Sequence, residues 1–174
     1  MGEHARQIQD RLAERLAAAL PDAEWTVERS VGADGGGGGG GGTPVDVVGE
    51  SEERLVLVEL EWRRADPANN TATLFRHLAE GGALRRTLED RDAVVVQLFT
   101  SYYDLASGGV SSKRKDATFV GAAAEEYLET VAYQPIDLPI DPPNGGGTLP
   151  DGWSGAVDAA VESIVSAVGG SGRE

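Results

Sequence analysis

Three carboxylates stand where a buried strand would normally carry apolar side chains. Asp46 lies between Val45 and Val47, and Glu59 and Glu61 close the run Leu55-Val56-Leu57-Val58-Glu59-Leu60-Glu61-Trp62. Strand side chains alternate, so Glu59 and Glu61 share a face with Leu55 and Leu57. Two carboxylates on one packed face repel each other and lose hydration. A bound divalent cation offsets both costs. A tight turn centred on Glu52-Glu53 sets Asp46 directly opposite Glu59. Cross-strand neighbours lie about 4.5–5.5 Å apart at Cβ, close enough for two carboxylates to share one hard cation through oxygen ligands.

The elements that must position these groups are legible from periodicity. Ile8, Leu12, Leu16 and Leu20 recur at i+4 and predict a helix over 3–20, stopped by Pro21-Asp22. Trp25 to Val31 alternates as a strand. Eight consecutive glycines at 35–42 predict a flexible loop over 32–43. Pro44–Val48 and Arg54–Trp62 form the hairpin that carries the carboxylates. Asp66-Pro67-Ala68-Asn69 signals a helix start with Asn69 or Asn70 as cap, and Leu74, Phe75 and Leu78 point inward. Gly81-Gly82 breaks or kinks that helix, with Leu84 to Leu88 in a continuation. Ala93–Phe99 is a continuous apolar run, as in a strand covered on both faces, and Gln97 is its one polar side chain. A helix is expected over about 115–130, with Phe119, Ala123, Tyr127 and Val131 as its inward stripe. Tyr133–Leu138 reads as an edge strand, where Pro135 is tolerated. A linker over 141–150 leads to a last amphipathic helix, 151–168, which either packs on the core or forms an interface. This order predicts one α/β domain over 1–174, a mixed β-sheet flanked by helices.

Composition narrows the functional classes. The chain has 29 acidic and 15 basic residues, a net charge of −14, and only two lysines, Lys113 and Lys115. Such a surface repels phosphate in dilute buffer. Carboxylate excess, arginine in place of lysine and alanine-rich apolar content also mark adaptation to concentrated salt, a halophilic trait. At 1 M salt the Debye length is about 3 Å, so net charge no longer excludes nucleic acid. The absence of cysteine excludes disulfides, thiolate metal sites and a cysteine nucleophile. Two histidines, His4 and His77, do not make a histidine-based metal site. No apolar run approaches the roughly 20 residues of a membrane span, and the start, Met1-Gly2-Glu3-His4-Ala5, lacks a signal pattern. A cytoplasmic protein is expected. The glycine tract lacks the Gly-Lys-Ser/Thr ending of a phosphate loop.

An Asp two residues after a Pro, then a hairpin, then Glu-x-Glu on the next strand, resembles the PD-(D/E)xK nuclease superfamily. The matching residues are Pro44, Val45 and Asp46, followed by Glu59-Leu60-Glu61. The order of elements over residues 3–100 also resembles the restriction endonuclease-like core, αβββαβ, here with C-terminal helices added. The resemblance implies an Mg²⁺- or Mn²⁺-dependent endonuclease that hydrolyses phosphodiester bonds, usually of DNA and often as a homodimer. It makes Asp46 and Glu59 the metal ligands. Glu61 occupies the usual lysine position, as in some restriction endonucleases. There it would act as a general base or ligate a second metal.

Other residues would complete such a site. Gln97 faces it from the fourth strand, and Glu28 or Glu14 would add a carboxylate. Arg63, Arg64 and Arg76 would grip phosphates. Lys113, Arg114 and Lys115 follow Tyr102-Tyr103 and would bind a nucleic-acid strand. The replacement of lysine by Glu61 favours a second reading, a catalytically silent nuclease-like module that binds DNA or a protein. A third is a structural protein of a high-salt cytoplasm with no site.

Overall fold

The computed structural model describes residues 2–31, 43–63, 65–80, 88, 91–144 and 146–170. The expected glycine loop, Arg64, Gly81-Gly82 and the helical continuation through Leu84 lie outside them. Along the chain run α1 (Glu3–Ala19), β1 (Glu24–Val31), β2 (Thr43–Glu50), β3 (Arg54–Glu61) and α2 (Pro67–Ala79). They are followed by β4 (Asp92–Thr100), a 3₁₀ turn (Ser101–Tyr103), α3 (Ser112–Tyr127), β5 (Val131–Leu138) and α4 (Trp153–Gly170).

The strands form one mixed sheet in the order β1-β2-β3-β4-β5. β1, β2 and β3 pair antiparallel, whereas β3, β4 and β5 run parallel. Parallel strands need covered crossovers, and α2 and α3 supply them on one face. There Leu74, Phe75 and Leu78 pack on Leu55, Leu57, Val95 and Tyr133. α1 and α4 cover the other face, where Ile8, Leu12 and Leu16 meet Val157, Val161 and Ile164 over Val58, Val96 and Leu98. The last helix is thus part of the core, and Arg11 ties it to α1 through two hydrogen bonds to Asp158 at 3.0 and 2.9 Å.

Two local expectations are corrected. The cap of α2 is Asp66, whose side chain accepts from the Asn69 N–H at 3.0 Å, with Pro67 in the first helical turn. Pro fits there because its missing N–H would have no partner anyway. In α3 the stripe of Phe119, Ala123 and Tyr127 points outward, with Phe119 74% and Tyr127 80% exposed. Its buried residues are Ala117 and Gly121. The reason is Tyr133: a Cβ on Gly121 would lie 2.3 Å from the tyrosine ring, so only a glycine can cross it. Val131 belongs to β5 and is buried.

Candidate functional site

The hairpin has the expected register, from Val47 opposite Val58 to Glu50 opposite Leu55. The ladder ends one step before Asp46 would meet Glu59. Alternation also fails there: Val47 joins the α1/α4 core, while Val45 and Val48 join the other. In neighbouring β1, Glu28 has a positive φ of 51° and drops out of the pairing between Val27 and Arg29. Asp46 fills the gap where β2 and β3 part. Its Oδ2 accepts from the Leu60 N–H at 2.7 Å, and its Oδ1 accepts from Gln9 Nε2 at 2.9 Å. The carboxylate therefore lies against the peptide joining Glu59 to Leu60.

Glu59, Glu61 and Gln97 point to the α2/α3 side and line a small cavity with Thr71, Leu74 and Val95. Its room is close to that of one water molecule. Asp46, Glu59, Glu61, Gln97 and Thr71 are all buried, Glu61 completely. Gln97 Nε2 donates to Glu61 Oε1 and to Thr71 Oγ1, both at 2.8 Å. Gln97 Oε1 accepts from the Tyr133 hydroxyl at 2.7 Å. Burial raises the Tyr133 hydroxyl pKa and outweighs the Thr118 hydrogen bond that opposes it, while the Glu61 charge adds to the rise and Arg114 opposes it least. The hydroxyl therefore keeps its proton.

The sequence reading missed Gln9 and Tyr133. Gln9 sits at i+4 from Ala5, within the buried stripe of Ala5, Ile8 and Leu12. A polar residue inside an apolar stripe is the signal that finds it. Tyr133 had no such signal. Glu28 is instead paired at the surface with Arg6 at 2.7 Å, and Glu14 is exposed on α1.

The basic candidates divide. Arg63 donates to Asn144 Oδ1 at 3.2 Å and to the Pro142 carbonyl, which fastens the 141–150 segment to the end of β3. Its guanidinium lies 5.7 Å from the centroid of the Tyr102 ring. Arg114 bonds to Asp137 and sits 4.9 Å over the Phe99 ring. Lys113 and Lys115 are exposed. Arg76 is exposed on α2, with Nη2 3.3 Å from His77 Nε2. Glu61, Phe99 and Asp137 are consecutive cross-strand partners. Arg114, held over Phe99 and Asp137, thus brings the basic turn of α3 to the same sheet end as Glu61.

Among the described residues no three acidic or histidine side chains form a complete metal cluster. The donors still suit a hard cation in kind. Asp46, bonded to Gln9 of α1, and Glu59, which lines the cavity on the α2/α3 side, are both carboxylates, and Mg²⁺ commonly takes one or two carboxylates and keeps several waters. No family model, curated protein or solved structure matches the chain.

Proposed function

We propose that the protein is a metal-dependent nuclease of the PD-(D/E)xK type, with a restriction endonuclease-like core, acting on DNA. The observation that carries this reading is the seating of Asp46 against the Glu59–Leu60 peptide where β2 and β3 part. The αβββαβ order around it, with β4 parallel to β3, supports the same reading.

Asp46 and Glu59 would hold Mg²⁺ or Mn²⁺, which supplies Lewis-acid polarisation of the scissile phosphate and a more acidic bound water. Gln9 and the Leu60 N–H fix Asp46 in place. Gln97 holds Glu61 as an acceptor beside a cavity of single-water size, the place for a nucleophile awaiting deprotonation. The basic turn of α3 flanks the carboxylates for phosphate contact.

Supercoiled and single-stranded DNA incubated with Mg²⁺ or Mn²⁺ in about 2 M KCl, where long-range repulsion is screened, should be cut. Cleavage should vanish in EDTA and in Asp46→Ala and Glu59→Ala. Complete burial of Glu61 favours the second reading, a silent binding module. Calorimetric titration with Mn²⁺ separates the two. A folded protein that neither cleaves nor takes up metal is the module.

A further inference from the structure

Beside the carboxylates the sheet end carries a strip that a duplex cannot use well. Tyr102 is 45% exposed, although the 3₁₀ turn that presents it is rigidly held. Ser101 N–H donates to the Ile140 carbonyl at 3.0 Å, Asp104 N–H to the Ser101 carbonyl at 3.1 Å, and Ser111 N–H to the Tyr103 carbonyl at 2.8 Å. Tyr103 is buried beneath and meets the Tyr102 ring edge-on, with centroids 5.2 Å apart. The Arg63 guanidinium lies over the same ring, 5.7 Å from its centroid and two residues beyond Glu61 in sequence. The Ser111 bond ties the turn to the start of α3, where Lys113 and Lys115, both exposed, belong to the only run of three basic residues in this acidic chain.

An exposed, pre-ordered aromatic with an arginine over one face, next to a helix start that carries two lysines, suits an unpaired base stacked on the open part of the ring with its phosphates near the cations. The bases of a duplex are already stacked and offer no free face. Glu59 and Glu61 are also recessed, at 8% and 0% exposure. A stiff double helix, with a persistence length of about 50 nm, presents a phosphate to such a recess less readily than a single strand does. We infer that the strip formed by Arg63, Tyr102, Lys113 and Lys115 binds single-stranded DNA, with Tyr102 stacking on a base and leading the strand to the carboxylates. This rests on the nuclease reading for the direction of the strand, but binding is measured without cleavage.

Fluorescence anisotropy of a labelled 20-nucleotide oligo-dT, its duplex and an oligo-U of equal length, in EDTA at about 0.1 and 2 M KCl, tests it. Single-stranded DNA should bind at least about tenfold tighter than duplex. Tyr102→Ala should weaken it by about tenfold or more, the usual worth of one stacked base, and Tyr102→Phe should restore it. Lys113→Gln with Lys115→Gln should weaken binding mainly at the lower salt. Circular dichroism confirms that each variant is folded. Absence of binding, equal or tighter binding of duplex, tighter binding of oligo-U, or an unaffected Tyr102→Ala would each overturn the inference. Single-strand binding by a protein that never cleaves would instead remove the nuclease reading and leave the strip standing.

Discussion

Gln97 can meet its neighbours in only one orientation. Thr71 donates its own proton to the Pro67 carbonyl at 2.8 Å, so it must accept from Gln97, and that turns the amide nitrogen toward Thr71 and Glu61. The amide oxygen then faces Tyr133. Tyr133→Phe deletes the donor and leaves a buried acceptor unmet, at a cost of about 1–3 kcal/mol. The raised pKa of Tyr133 adds a pH signature. Below about pH 10 the hydroxyl is protonated in both folded and unfolded chains and contributes no pH dependence. Above it the unfolded chain loses the proton first, so stability falls as pH rises. Urea unfolding at pH 7 and above pH 10 should show a lower midpoint for Tyr133→Phe at pH 7 and a shallower alkaline loss than in the parent protein.

At the scale of elements, the strands, the hairpin register and the four described helices were legible because burial imposes its period on them. The carboxylates at 46, 59 and 61 stood out against that period. What failed was α3. Its large apolar residues recur at i+4, but the space beneath the helix is already filled by Tyr133, so the small residues Ala117 and Gly121 face inward. A contact between a helix and a strand distant in sequence is not written in the helix. Asp46 was placed opposite Glu59 by the hairpin register, but the ladder ends one step before that pair, and its partner Gln9 lies 37 positions away. Gly121→Ala should force the helix from the sheet or Tyr133 from Gln97, costing about 1–3 kcal/mol as overpacking does. A thermal melt measures the loss. Gly169→Ala in α4, where a Cβ meets nothing within 4 Å, should lack that cost.

Over the whole molecule, 29 acidic side chains confront 15 basic ones. Several arginines are committed to local pairs, such as Arg29 and Arg91, which both hold Glu50, at 2.7 and 2.5 Å. Burial raises the Glu50 carboxyl pKa, but the two guanidiniums outweigh it and leave it lowered. The remaining repulsion is unscreened in dilute buffer. The melting temperature should therefore rise as KCl goes from about 0.1 to 2 M, the range over which the Debye length shrinks from about 10 Å to under 3 Å. A fall would mean that attractive pairs dominate. The kink at Glu28 in β1 has a consequence for the crowd rather than the molecule. An outer strand normally offers a straight row of backbone donors and acceptors to any passing chain. Here one outer strand is bent at Glu28 and the other carries Pro135, which has no N–H to give. Neither flank is a clean template for a sixth strand, so at high concentration the molecules are built to stay separate rather than grow into ribbons.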